Sequence, residues 1–536
     1  MKYAAHVSPK NTPQSQPLIG ENQVKNNAGG YVYAASDWTK LDRFLILGSE
    51  KGTYYASERK LTVESAQGIV DLIQKNGEQV VARIVQVSDE GLAVKNAPSI
   101  FALALATKHG NTETKKAAMQ ALVKVARTST DLFSFVDQYK NGLGGGIGAV
   151  VKAGLKNWYL SKPDEKLAYQ MVKYRQRDGW THHDVLHLSH PKAATDTTNK
   201  LFQFAKASAG KGISEFDTSG LPGIVIGYQE AMKAANVAGV VKLIEQYNLP
   251  REAIPTEFLN DNKVWEAMLP TMPATALLRN LGKLSSVGIV TPMSDGEKLV
   301  VKKLSDAEWL RNSRIHPISV LVASLVYGSG RGVKGNLTWN PSQAVKKALD
   351  AAFYATFKNV VPTGKNHLLG VDISGSMGWT NVAGFEVPGM TARLVAAAMA
   401  LVIEATEQNT HIMGFGKTFV DLNINSNMRL EDVVKTISNL PFGGTDCAVP
   451  MQYALKNNIP VDGFIVITDN ETWAGNQHPS VALREYRQKM GRDAKSVVLA
   501  TSVNDFTIAD PKDKGMLDAV GFSADMPTVI ANFMRS

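Results

Sequence analysis

From about residue 37 to residue 360, apolar side chains recur at steps of three and four. VESAQGIVDLIQKNG (63–77), PSIFALALATKHG (98–110), TKKAAMQALVKVAR (114–127), IGAVVKAGLKNWYL (147–160) and PSQAVKKALDAAFYATF (341–357) all show it. That period marks helices with one apolar face. Gly, Asn, Pro and Ser/Thr-Asp pairs interrupt the pattern at short intervals, as in KNGEQ, KHGNTET and RTSTDL. The helices are therefore short and the turns brief. No repeat of fixed length emerges. A succession of short antiparallel pairs still predicts an α-solenoid of degenerate HEAT type, whose curvature creates a concave surface or a hole. Residues 1–35 are polar, rich in Asn, Gln, Pro and Gly, and read as an irregular arm.

After 360 the rhythm changes. HLLGVDIS, THIMGF, GFIVITD and KSVVLATS are short, nearly continuous apolar runs. Amphipathic segments separate them: MTARLVAAAMALVIEATEQ, MRLEDVVKTISNL and DCAVPMQYALKNN. Strands without polar alternation, alternating with helices, predict a parallel sheet covered on both faces. The chain thus divides into an all-α, HEAT-like part over 1–360 and an α/β, Rossmann-like part over 361–536.

Composition sharpens this division. With 536 residues the chain is long enough for two or three cores. Residues 361–536 hold 14 Lys+Arg against 18 Asp+Glu, a balance of −4, so the net +9 leaves +13 on residues 1–360. A basic excess confined to the helical part points to a polyanion partner there, or to a solvated basic surface. No apolar run is long enough for a membrane span, and the first 20 residues lack the apolar core of a secretory signal. The single cysteine, Cys447, allows no intramolecular disulfide, which fits a reducing cytoplasm.

The chemistry concentrates in two places. GVDISGSM (370–377) puts Asp372, Ser374 and Ser376 at alternate positions after an apolar run. In open α/β sheets, ligands bind at the carboxyl ends of the strands. GGTDC adds Thr445 just before a helix, and VITDNE adds Asp469 just after a strand. Five oxygen donors from three loops, with no Cys or His, suit Mg²⁺, or Mn²⁺, rather than zinc. No general base or nucleophile pair accompanies them, so the site is read as binding rather than catalytic. The alternative is a Gly/Ser-rich strand–helix turn that holds nothing.

The second place is KYRQRDGWTHHDVLHLSHPK (173–192). Lys173 and Arg177 are four apart, so on a helix they would project from one face and grip successive phosphates. Tyr174 and Trp180 could stack on bases if exposed. Two other readings stand beside RNA contact. His183, His187 and His190 have zinc-like spacing, though without cysteine or an HExxH run. Alternatively the segment is a helix junction with Trp180 in the core and its charges solvated.

The three metal loops resemble the metal-ion-dependent adhesion site of von Willebrand factor A domains, whose open coordination position takes a carboxylate from a protein partner. NNAGGYVYAASDWTKLDRFLILGSEKGTYY (26–55), the 173–192 segment, MPATALLRNLGKL (272–284) and HPISVLVASLVYGSGRGVKG (316–335) resemble the TROVE module of the Ro autoantigen family. A von Willebrand A domain follows that module, and the resemblance is greatest to bacterial members. It implies a helical ring that binds Y RNA on its outer surface and single-stranded ends of misfolded noncoding RNA in a basic central hole. It further implies a monomer that acts with an exoribonuclease, polynucleotide phosphorylase, in RNA quality control and stress survival.

On this resemblance Lys173 and Arg177 belong to the outer RNA surface, with His182 and His183 nearby. Arg43 and Arg279 are candidates for the hole; a salt-bridged helix position for Arg43 and helix capping for Arg279 are the alternatives. Arg331 and Lys334 in SGRGVKG read as a phosphate loop or a simple turn. One departure stands out: WTNVAGFEVPG (379–389) follows the metal turn and delays the next helix, so it could obstruct the partner-binding face. The rival to an RNA-binding, non-enzymatic subunit is a cytosolic Mg²⁺-dependent adhesion-type scaffold, with the helices as a spacer.

Overall fold

The computed structural model describes residues 12–26, 28–34, 36–47, 66–89, 96–209, 211–333, 335–379, 387–416, 419–440, 444–468, 472–501, 506–521 and 526–535. The helical part follows the apolar periodicity. At KHGNTET the Asn111 side chain accepts from the Thr114 amide at 2.8 Å and starts the helix Thr112–Val125. At RTSTDL, Thr128 and Asp131 form a reciprocal capping box for Ser129–Asp137; such caps contribute about 1 kcal/mol each. KNGEQ behaves differently. Helix Gln67–Asp89 continues through it with a kink at Asn76 (φ −139°, ψ 39°). The adjacent Gly77 lies so close to Thr114 that a Cβ would sit 2.2 Å from the threonine hydroxyl. Close helix packing, rather than a turn, is what the glycine permits there.

The strands, in chain order, are β1 (Gln23–Lys25), β2 (Tyr31–Ala34), β3 (Gln176–Arg177), β4 (Trp180–Thr181), β5 (Asn366–Asp372), β6 (Asn409–Phe415), β7 (Phe419–Asp421), β8 (Gly463–Thr468), β9 (Lys495–Ala500), β10 (Phe506–Thr507) and β11 (Met516–Val520). The principal sheet has the order β11-β9-β8-β5-β6-β7. Its first five strands are parallel, and β7 folds back antiparallel on β6. The sheet is therefore mixed, with a hairpin edge that the wholly parallel expectation lacked. Every residue of β8 is buried, as a central strand covered by helices on both faces requires. The two-sided apolar runs 367–374, 410–415, 463–469 and 495–502 supply β5, β6, β8 and β9.

The N-terminal arm is ordered where it is described, and it docks on the α/β domain. β1 pairs with β2, and β2 pairs antiparallel with β10. Helix Asp37–Leu47 continues that contact, placing Arg43 against Asp518 of β11. At the other end of the helical array, Asp350 pairs with Arg429. The Arg429 guanidinium lies 4.2 Å from the Tyr354 ring centroid, and the Tyr354 hydroxyl accepts from the Leu430 amide at 2.9 Å. Both ends of the helical array thus seat on one α/β domain, and the chain closes into a circuit. The connection between the two parts is held by Glu407, which accepts from the amides of Thr363 and Gly364 at 2.7 and 3.2 Å.

Candidate functional site

Strand β5 ends on Asp372, whose side chain is almost wholly buried. One carboxylate oxygen, Oδ1, accepts from the Ser374 amide at 2.8 Å, and Oδ2 accepts from the Thr468 hydroxyl at 2.9 Å. The Ser374 and Ser376 hydroxyls are 2.9 Å apart. The turn therefore gathers a carboxylate and two hydroxyls at the carboxyl end of the central strands. Thr445, 6% exposed, lies on the second loop, and its carbonyl accepts from the amides of Trp473 and Ala474 at 3.0 and 3.1 Å. Asp469 lies outside the described residues, as does most of the 379–389 insert. Four of the five expected donors are thus placed on the first two loops, and all are hard oxygens that fit Mg²⁺ or Mn²⁺ better than a soft ion.

Thr468 went unnoticed in the sequence, although it directly precedes Asp469 at a strand end. Its hydroxyl donates to Asp372 Oδ2 and so fixes the orientation of that carboxylate. Cys447 sits just behind the site, wholly buried. Burial first, and then the Asp372 charge, push its thiol well above the ordinary value.

The basic segment departs from its expected form. The helix Asp164–Lys173 stops at Lys173, and Tyr174 leaves helical geometry (φ −119°, ψ 59°). Arg177 lies on the β3–β4 hairpin, whose turn residues Asp178 and Gly179 have φ of 52° and 80°. The helical i,i+4 pairing of Lys173 and Arg177 is thus replaced by a helix end followed by a hairpin; the Asp-Gly dipeptide is the signal for it. Lys173 Nζ donates to the Tyr169 hydroxyl at 2.9 Å and lies 5.2 and 5.4 Å from the Tyr169 and Tyr174 rings. Burial works against its charge, but those contacts and Glu252 outweigh it and raise the ammonium above its ordinary value. Arg177 is 59% exposed and 3.3 Å from Asp178. Arg175 instead turns inward to the Tyr228 hydroxyl and the Glu252 carbonyl.

Trp180 is half-buried, donates to Asp137 at 3.3 Å and carries Lys140 at 5.2 Å from its ring. It anchors the hairpin. His182 is corrected from surface to core. It is 3% exposed, contacts the Tyr159 hydroxyl at 3.1 Å and meets the Phe133 ring edge-on at 4.9 Å. Burial lowers its imidazole to about 4. His183 remains at the surface, its ring stacked on His187 at 6.3 Å, with His190 5.5 Å from His187. Among the described residues no three His, Cys, Asp or Glu side chains converge to hold a metal ion. The zinc alternative has no support there.

Arg43 is likewise corrected. It is 1% exposed, donates to Asp518 at 2.5 Å and to the Phe506 carbonyl at 3.1 Å, and so occupies the salt-bridged position that was its alternative. Arg279 is exposed in mid-helix of Ala274–Ser286, one turn before the last, and makes no ion pair among the described residues. A capping role does not fit that place. Arg331 is exposed on a turn bridged to Thr338, and Lys334 lies outside the described residues. No helix among the described residues is long and apolar enough to cross a membrane.

Comparison with known proteins agrees with this architecture. Residues 24–218 and 241–365 match the TROVE domain family, and residues 366–534 match the Ro60 vWA domain. The chain is 41% identical over 531 residues to the RNA-binding protein RO60 of Deinococcus radiodurans, covering 99% of this chain and 98% of that protein. It is 34% identical to the RNA-binding protein RO60 of Caenorhabditis elegans, covering 98% and 92%. The crystal structure of the D. radiodurans RO (RSR) protein superimposes with a TM-score of 0.76 at 40% identity, covering 93% of this chain and 99% of that one. The chain belongs to the Ro family, a TROVE domain joined to a Ro60-type von Willebrand A domain.

Proposed function

We propose that this protein is the RNA-binding subunit of a ribonucleoprotein and works by binding rather than by catalysis. The observation that carries the reading is the segment 173–192. Trp180 and His182 anchor it, while Arg177, His187, His190 and Lys192 stay exposed and Lys173 keeps its charge. An anchored, basic surface presents cations to phosphates at little entropic cost. The +13 balance of residues 1–360 and the relatives' RNA binding support the same reading.

In its finer form, a small Y-type RNA lies on the outer surface through Lys173 and Arg177, with His183 beside them. A single-stranded end of misfolded RNA enters the basic opening of the closed circuit, near Arg279 and Arg331. An exoribonuclease degrades the presented RNA in the cytoplasm, which suits a role in quality control under stress. Asp372, Ser374, Ser376 and Thr445, with Asp469, hold Mg²⁺. The bound ion offers a coordination position to a carboxylate of a protein partner.

Gel-shift titration with a hairpin RNA bearing a single-stranded 3′ tail, across salt concentrations, tests this. Wild type binds with steep salt dependence, Lys173→Ala/Arg177→Ala loses affinity and about 2 units of salt slope, and Asp372→Ala binds as wild type. Absence of binding above a non-specific control would leave the Mg²⁺-dependent scaffold as the account of the fold.

A further inference from the structure

Gln14 has no solvent exposure, although it belongs to a polar arm. Its amide Nε2 donates to Asp446 Oδ1 at 2.7 Å and to the Gln477 carbonyl at 2.8 Å. Its Oε1 accepts from the Thr472 hydroxyl at 2.5 Å, and its backbone amide donates to the Gly475 carbonyl at 2.9 Å. A Cβ on Gly475 would lie 2.3 Å from Gln14 Nε2, so the loop is shaped around this side chain. Asn26 Nδ2 donates to the Thr472 carbonyl at 2.8 Å, and a Cβ on Gly30 would lie 2.1 Å from that same oxygen.

These contacts converge on the two loops that frame the cation site. Thr472 stands three residues after Asp469, and its hydroxyl oxygen accepts from the Cys447 amide at 3.1 Å. Asp446 and Cys447 directly follow Thr445, whose carbonyl is tied to Trp473 and Ala474. The arm therefore holds the second loop and the stretch after the third in one arrangement. Mg²⁺ demands near-ideal octahedral geometry at about 2.0–2.1 Å, and groups that orient its ligands typically govern about 10- to 100-fold in affinity.

We propose that the N-terminal arm is a working part of the cation site, with Gln14 and Asn26 as positioning residues, so that arm docking and cation binding strengthen each other. The proposal rests on the reading of Asp372, Ser374, Ser376 and Thr445 as cation ligands. Coupling between the two sites is reciprocal: a released arm weakens the site, and a bound ion tightens the arm.

Mn²⁺ serves as the probe in the full-length protein, with free ion followed by electron paramagnetic resonance. Gln14→Leu weakens Mn²⁺ binding about 10- to 100-fold relative to wild type, and Asn26→Ala weakens it less. In wild type, Mn²⁺ slows hydrogen exchange at the Gln14 and Tyr31 amides, and in Asp372→Ala it does not. Wild-type affinity for Mn²⁺ in folded Gln14→Leu, or exchange in the arm that ignores the ion in wild type, overturns the coupling while leaving the cation site intact. Failure of wild type itself to bind Mn²⁺ overturns the cation reading and the proposal with it. Should Gln14→Leu not fold, Asn26→Ala and the wild-type exchange measurement decide.

Discussion

Replacing Arg43 by alanine removes a cation sealed between the first helix of the array and the α/β sheet. Its side chain is 1% exposed and that of Asp518 5%, with 2.5 Å between Nε and Oδ2. At an effective dielectric constant of about 20, the gross attraction at this separation is about 7 kcal/mol. Much of it is offset by the cost of having dehydrated both ions. Removing one partner forfeits the attraction and retains the other's dehydration. Among the described residues Asp518 would then keep one side-chain donor, the Thr507 hydroxyl at 2.8 Å. The expected loss is about 3–5 kcal/mol. Arg43→Met combined with Asp518→Leu should recover most of it, because neither charge then needs compensation. Urea denaturation of the wild type, Arg43→Met, Asp518→Leu and the double variant completes the cycle, with Arg43→Ala measured beside it. Hydrogen exchange should rise first in 37–47 and in β10–β11. A loss under about 1 kcal/mol for Arg43→Ala, or a double variant no better than the singles, would refute the argument.

Other consequences are equally specific. Burial lowers His182 and His316 to about 4, below their ordinary 6.5. The unfolded chain takes up those protons first, so their contribution is complete above about pH 6.5 and falls as pH drops toward 4, by about 1.4 kcal/mol per pH unit for each group. Urea midpoints between about pH 7 and pH 4 should show this, and His182→Leu should remove one proton's share of the slope; a flat wild-type profile contradicts it. Cys447, with its thiol buried and shifted up, should resist iodoacetamide in the native protein and react stoichiometrically in denaturant, as counted by mass spectrometry. Gly30→Ala, which forces a methyl group onto the Thr472 carbonyl, should cost about 1–3 kcal/mol and accelerate exchange in β1 and β2; unchanged exchange there would exclude the clash.

Periodicity made the helical array and the four buried strands legible, because local sequence sets amphipathic faces and two-sided apolar runs. The positions of Asp372, Ser374, Ser376 and Thr445 on the first two loops were legible for the same reason: these oxygen donors stood next to recognisable strand or helix ends. What escaped depends on partners distant in sequence. β1, β2 and β10 are too short to carry a period, and they exist by pairing with one another. Arg43 and His182 look like surface residues in a basic chain, until Asp518 in one case and Phe133 and Tyr159 in the other enclose them. The Lys173–Arg177 spacing suggested a helix face, yet the Asp178-Gly179 turn between Arg177 and Trp180 was the stronger local instruction.

The docking of the arm also bears on how the molecule is made. Gln14 and its partner Thr472 are 458 residues apart, so the arm waits for a segment synthesised long after it. Throughout synthesis of the helical array, β2 has no β10 to pair with, and Arg43 has no Asp518. The von Willebrand A domain is one body in space assembled from segments on either side of the helical array, and it is complete only once β10 and β11 have been made. A nascent chain stalled before β10 would display the arm as an unpaired strand edge, open to other partners until release.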